Sequence, residues 1–406
     1  MHVLIVGAGL GGLTLAQTLR KQNISFQIFE RDTDRNSRFQ GWAIALHTIT
    51  DEIVSSMPSD MPDLKEATNH LAPLDLPAQI LMYYPEQDRM GFVDSSETPL
   101  IRAERYRLRE WLSTNIPIQW GKRLESVEND DSGVTVWFED GTSAKGDMLV
   151  GADGIQSIVR QNLLHRSHDD LLEVVPLANI VGQLTLSGDA FKRQLALGHS
   201  SYSVIRPELG FITFVGLHDV SADGQSARFY WMMMHPDATV GSPGHWLQTA
   251  SKQAKLDHVL RTAERLSPDL REIFELTPVE GIREEKHIWR DLELSSLPAG
   301  RVVLLGDAAH AMTPFKGEGG YHAFLDALAL SRLFGKLGAD GGVPSLGAIR
   351  TAVEAYNTDM LRRSGESVRS SRVSYDEAKK KVEKRQAFLA PMKMIPKTEI
   401  SLDARG

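Results

Sequence analysis

The 406-residue chain contains no cysteine, so disulfides, thiolate metal sites and thiol nucleophiles are excluded, although the compartment is not decided. No apolar run approaches the length of a membrane-crossing helix. Basic residues are not in excess: 45 Lys and Arg against 53 Asp and Glu leave a net charge of −8, which argues against general nucleic-acid binding. Neither a Ser–His–Asp order nor a metal-ligand spacing such as H-E-x-x-H is found, and there is no internal repeat or low-complexity segment. The apolar N-terminus lacks a basic leader, and its glycines serve a turn. These absences lead to the expectation of a soluble, cytoplasmic protein without stable membrane insertion. Its length accommodates two interlocked domains.

What is present is concentrated in three glycine-bearing turns. Val3-Leu4-Ile5-Val6 reads as a buried strand and runs into Gly7-Ala8-Gly9-Leu10-Gly11-Gly12, a G-x-G-x-x-G. A helical pattern (Leu13, Ala16, Leu19) and a second strand, Phe26 to Phe29, follow, and that strand ends in Glu30 and Arg31. This order is that of a dinucleotide-binding unit. Gly7 makes the tight turn, Gly9 admits a pyrophosphate, Gly12 lets the helix pack closely, and Glu30 holds ribose hydroxyls. The second turn is Asp153-Gly154 with Ser157, Val159 and Arg160, after the apolar run Met148–Val150. In the third, Val302–Leu305 leads into Gly306-Asp307, followed by Pro314, Gly317, Gly319 and Gly320 before a helix-like stretch from Phe324 to Phe334. The Asp307 carboxylate accepts from polyol hydroxyls, and a glycine-rich helix start favours negative charge on a polarised ring. An isoalloxazine with a ribityl chain meets both demands.

With these residues in this order, the chain resembles the FAD-dependent aromatic hydroxylases, the single-component flavoprotein monooxygenases, in their secondary-metabolite branch. The resemblance covers roughly the first 340 residues, and the family's arginine at the R-x-x-L-R-x-x-L helix start matches Arg105. It implies an enzyme that binds FAD and consumes NAD(P)H transiently, without a separate domain for it. One atom of O2 would enter a hydrophobic, aromatic or polycyclic small molecule through a flavin C4a-hydroperoxide. Baeyer–Villiger or epoxidising chemistry, a flavin dehydrogenase or oxidase, and a ligand-sequestering flavoprotein remain alternatives, and the chain would act as a monomer or homodimer. Cofactor contacts are expected from Gly7, Gly9, Gly12, Glu30, Arg31, Ala43, Arg105, Asp153, Asp307, Pro314, Gly317, Gly319 and Gly320. One departure stands out: Tyr321 occupies the place of the family's usual Asn.

The implied fold is α/β, a discontinuous Rossmann-type FAD domain (1–70, 101–170 and 286–342) with an inserted α+β substrate domain (71–100 and 171–285). A helical C-terminal segment (343–406) follows. Strands are expected at Ile80–Tyr84, Met90–Val93, Ile180–Leu186, Ser201–Ile205, Gly210–Leu217 and Arg228–Met234, forming a sheet that roofs the flavin. The bulky run Phe229–Met234 suits either a cavity wall or plain sheet core. No catalytic residue is assigned; His47, Arg206, Tyr321 and His322 are candidates for polar groups near the substrate. His310 reads as structural, Arg160 as an ion-pair partner, and the basic run Lys379 to Arg385 as a solvated helix face.

Overall fold

A computed structural model describes residues 1–83, 89–284, 288–314, 317–339, 342–372 and 393–395. Five parallel strands form the first sheet, in the order Val302–Leu304, Met148–Gly151, His2–Val6, Ser25–Phe29 and Ile118–Gln119. A parallel sheet covered on both faces demands strands apolar throughout, which is why Val3 to Val6 and Met148 to Val150 show no alternation. The topology decides where the three turns meet. Val6, Gly151 and Leu304 end adjacent strands that point the same way, so Gly7, Asp153 and Gly306 lie side by side beyond one edge. Ligand crevices of open parallel sheets form at that edge. The Leu10–Lys21 helix packs against a long helix, Glu318–Leu337, and both belong to the core of this sheet.

The second sheet has seven strands, in the order Leu177–Ser187, Ser226–Pro236, Phe211–Val220, Ser201–Arg206, Gln79–Tyr83, Arg89–Val93 and Lys393–Met394. The expected roof strands are present with ends shifted by one to three residues, Gly210 falling just outside its strand; Tyr84 lies outside the described residues. One face buries Leu81, Tyr202, Val204, Phe211, Phe229 and Trp231 against the helices Gly188–Gly198, Lys252–Ala263 and Pro268–Glu275. Each such side chain contributes about 1.5–3 kcal/mol by burial. Trp231 lies flat across Gly182 of the neighbouring strand, where any β-carbon would collide with its indole. The Gly188–Gly198 helix is absent from the sequence reading, because its Phe191–Leu195 spacing is short and sits between two strong strand patterns.

Alternation sends the other residues to the opposite face. There Ile80, Met82, Met90, Phe92, Ser203, Ile205, Ile212, Phe214 and Met232 are all half-buried and share register lines across five strands. The Phe229–Met234 run divides between the faces: Phe229, Trp231 and Met233 are core, while Tyr230 and Met232 belong to the far face. The helix Leu346–Ser371 carries the helical C-terminal pattern. The basic run Lys379 to Arg385 lies outside the described residues. Among the described residues no helix is long and apolar enough to cross a membrane.

Candidate active site

The first turn builds an anion-facing helix start. Gly7 holds φ +109, and a β-carbon there would overlap the Ala152 carbonyl of the neighbouring turn. Gly12 packs as closely on the Gly7 carbonyl, whereas nothing lies within 4 Å of the place where Gly9 would carry a side chain. Gly9 caps the Leu10–Lys21 helix without a side-chain bond, and no acid occupies the first turn, so its amides are open to a phosphate. Glu30 accepts from the Ala8 amide (2.8 Å) and the Asp32 amide (3.1 Å). Arg109, buried over Trp120, stands 3.6 Å from the same carboxylate and donates to the Ala8 carbonyl at 2.9 Å. Sequence reading passed over Arg109 as part of a helix motif; it fastens Glu30 to the glycine turn. Arg31 is exposed beside it.

Asp153 turns inward on its own helix. Its carboxylate accepts from the Ser157 hydroxyl (2.5 Å) and from the Ile158 and Val159 amides. Burial pushes its pKa above the ordinary carboxylate value, and these bonds act in the opposite direction. Asp153 therefore shapes the second turn against Gly7. Arg160 is fully buried and donates to the Ala308 and Ile155 carbonyls; the ion pair expected for it is replaced by backbone anchoring of the third turn.

Asp307 and Arg105 are surrounded by protein yet remain accessible, as residues on the wall of a deep cleft do. Burial raises the Asp307 pKa, against the pull of His310 and Arg105. Burial likewise lowers that of Arg105, against the pull of Asp307. Gly41, at φ +96, admits the Arg105 guanidinium: a β-carbon there would lie 3.1 Å from Cδ and Nη1. The Trp42 carbonyl accepts from the Arg105 amide, and Ala43 starts the strand Ala43–Leu46, which pairs with Ile101–Glu104. Pro314 and Gly317 are exposed. Gly317 (φ +67) caps the Glu318–Leu337 helix without a side-chain bond, leaving the amides of Gly319 and Gly320 at its first turn. Gly320 is in direct contact with Ile44 of the passing strand.

Beneath this helix start lies a buried polar network centred on Asp326. Asp326 accepts from the Gly306 amide (2.9 Å), from His310 (2.5 Å) and from Arg363 (2.9 Å). Burial opposes a charged His310, but Asp326 overcomes it and the His310 pKa is raised. The structural reading of His310 accords with this position. His322 does not face the roof: it bonds Ser367 through Nε2 and accepts from Arg363 at Nδ1. Burial, with His310 and Arg363 nearby, lowers its pKa to about 4. A residue near the start of the Glu318–Leu337 helix was placed at the cleft because helix phase relative to the cleft is not written in a local pattern.

Two other candidates also need correction or placement. Arg206 shares the helix-covered face with Tyr202 and Val204, and it pairs with Glu208 at the end of its strand, away from the half-buried apolar face. Tyr321 and the exposed His47 stand near one another with rings nearly parallel, centroids 6.2 Å apart, at the seam between the Ala43–Leu46 strand and the long helix. The polar groups that do stand on the apolar face were not named from the sequence. Tyr230 stacks on Trp42 at 4.4 Å, Arg102 donates to the Tyr230 hydroxyl, and Asn179 is buried with neither amide atom bonded. Only strand alternation could have exposed Tyr230 and Asn179, and Arg102 had no signal beyond its nearness to Arg105. Among the described residues no acidic or histidine cluster suits a metal.

The FAD binding domain family matches residues 99–346, and the NAD(P)-binding Rossmann-like domain family matches residues 5–36. The FAD-dependent monooxygenase thnD of Trichoderma harzianum is 60% identical over 404 residues, 99% of each chain. The FAD-dependent monooxygenase cctM of Talaromyces islandicus is 27% identical over 383 residues, 92% of this chain and 91% of its own. Among solved structures, Klebsiella pneumoniae HpxO, complexed with FAD and uric acid, superposes with a TM-score of 0.71 at 22% identity, over 96% of this chain and 92% of that one, a likeness of fold. Fold and site together define a flavoprotein oxidoreductase. The chain belongs to the FAD binding domain family and is an FAD-dependent monooxygenase of the kind found in fungal secondary metabolism.

Proposed function

We propose that the enzyme consumes NAD(P)H and inserts one atom of O2 into a hydrophobic aromatic or polycyclic small molecule. The observation that carries this reading is the half-buried apolar face of the second sheet, with Phe214, Met232, Ile212 and Met82 opposite the FAD-binding elements. The cleft fits FAD along its length. Gly7, Gly9 and Gly12 would take the pyrophosphate; Glu30, with Arg31 beside it, would take the adenosine ribose; and Asp307 would take the ribityl side. Arg105, Ala43, Pro314, Gly317, Gly319 and Gly320 would line the ring. Asp153 would serve by holding the glycine turn. The chemistry that FAD supplies when bound is hydride uptake from the nicotinamide and activation of dioxygen at C4a. The chain's own part is to orient the ring, to favour negative charge on it through the Gly317–Gly320 helix start, and to keep water out under the apolar roof.

The test is the fate of labelled oxygen. With ¹⁸O2, one labelled atom should appear in product and none should come from labelled water, with NAD(P)H oxidation stimulated by substrate. Product formed at full rate without oxygen would reassign the protein to the dehydrogenases.

A further inference from the structure

With 13 methionines and no cysteine, thioethers are the only sulfur this chain offers to an oxidant. They are not placed alike. Met57, Met148, Met233, Met234 and Met360 are buried. Met82, Met90 and Met232 are half-buried on the roof face that lies opposite the FAD-binding elements. Register joins these three in one row: Met90 pairs with Met82, Met82 with Ser203, Ser203 with Phe214, and Phe214 with Met232. Adjacent strands stand about 4.8 Å apart, so the row runs about 19 Å and carries thioethers at both ends.

An apolar wall has no need of sulfur. Ile80, Ile205 and Ile212 fill comparable places on the same face without it. What methionine adds is a soft sulfur that peroxide oxidises once it can reach it. An FAD-dependent monooxygenase makes that oxidant whenever reduction of dioxygen is not followed by transfer to a substrate. Dioxygen then takes two electrons, drawn from NAD(P)H, and two protons, and leaves as hydrogen peroxide. A thioether lone pair attacks one peroxide oxygen. The O–O bond breaks, an S–O bond forms, and the leaving hydroxide collects the proton of the new S–OH as water. Sulfur is oxidised by two electrons and peroxide is reduced by two. The product is a sulfoxide, a polar group on an otherwise apolar wall, and methionine sulfoxide reductases reverse it.

We infer that Met82, Met90 and Met232 are modification sites: peroxide released beneath the roof converts them to sulfoxides, and the face then loses affinity for apolar rings. The row shields the cofactor cleft and also brakes turnover that yields no product. This rests on the proposed NAD(P)H-consuming monooxygenase reading.

The holoenzyme should be incubated in air with NAD(P)H, without substrate and with catalase in solution, and then mapped by peptide mass spectrometry. Catalase removes peroxide that has reached bulk water, so Met394, at 59% exposure, should be spared and reports on that escape. Sulfoxide is expected at Met82, Met90 and Met232, with Met394 and the buried Met57, Met148 and Met360 left as thioethers. Calorimetric titration with naphthalene should show about tenfold weaker binding after the incubation, restored by methionine sulfoxide reductases. The triple variant Met82→Leu, Met90→Leu, Met232→Leu should keep its own naphthalene affinity through the same treatment. Three outcomes overturn the inference: NAD(P)H consumed with the three thioethers intact, oxidation no faster there than at Met394, or sulfoxides that leave naphthalene binding unchanged. A second arm supplies hydrogen peroxide directly, without NAD(P)H or catalase. There the three must oxidise ahead of Met57, Met148 and Met360 and weaken naphthalene binding, or the inference fails. If NAD(P)H is not consumed, the monooxygenase reading is what fails, and the second arm alone decides the fate of the row.

Discussion

The nucleotide-binding half and the roof treat buried polar groups in opposite ways. Under the parallel sheet, Glu30 faces Arg109, and Asp326 joins His310 to Arg363. Under the roof, Arg102 donates to hydroxyls alone and the Asn179 side chain has no hydrogen-bond partner among the described residues. Charged groups that hold the scaffold meet an opposite charge or backbone carbonyls within the chain, although single atoms such as His310 Nδ1 and Arg160 Nε go unbonded, while on the roof face a charge and an amide lack both. A fully bonded network rigidifies what it joins, and an unpartnered group costs stability until something binds it.

The sharpest cut at this contrast is Asp326→Ala, which strips three donors of one buried acceptor. It should cost about 3–5 kcal/mol, read as a lower urea midpoint. A loss below 1 kcal/mol would mean that the network is decorative and the contrast empty. Next is its pH dependence. The folded pKa of His322 is about 4, below the ordinary histidine value, so stability should fall as pH drops from about 6.5 towards 4, by on the order of 3 kcal/mol. The folded pKa of His310 is raised, so its contribution is present below about 6.5 and is lost as pH climbs through the raised value. Urea midpoints across pH should therefore peak near the ordinary histidine pKa, and His322→Asn should flatten the acid side only.

At the open end of the cofactor cleft, Asp307→Ala removes a charged acceptor. FAD affinity should drop about 10- to 100-fold, roughly 1.5–3 kcal/mol, by fluorescence titration of the apoprotein. The smallest effect tests the roof. Asn179→Leu replaces a buried, unbonded amide by an apolar side chain of similar size and should raise stability by about 1 kcal/mol. A loss instead would show that the amide is held after all, and the roof would resemble the other half.

The same contrast explains what could be read in the sequence. Gly7, Glu30, Asp153 and Asp307 act through turns that follow their own strands, so local spacing carries the information. The roof strands were legible because alternation at Ser201–Arg206 and Phe211–Val220 is local too. What each face meets is not local. Arg206 and His322 were placed near the substrate on strand-end and helix-start position, and each proved to face another element, Glu208 for one and the Leu346–Ser371 helix for the other. Arg102 and Tyr230, far apart in the chain, are joined only by the docking of one sheet over another. Asn179 looked like any strand residue until the absence of a partner marked it.

The parallel pairing that gathers the three turns also sets an order of events during synthesis. The Gly7–Gly12 turn emerges first, beside a strand whose inner neighbour, Met148–Gly151, arrives much later and whose far edge, Val302–Leu304, arrives later still. Asp307 and the helix that supplies Asp326 follow that edge. Pairings this distant are slow to close, and unpaired strand edges invite association with other chains. Flavin therefore meets a chain that has already grown past residue 307: ribosome-bound chains that stop before it should hold none, and chains extended past residue 372 should hold it.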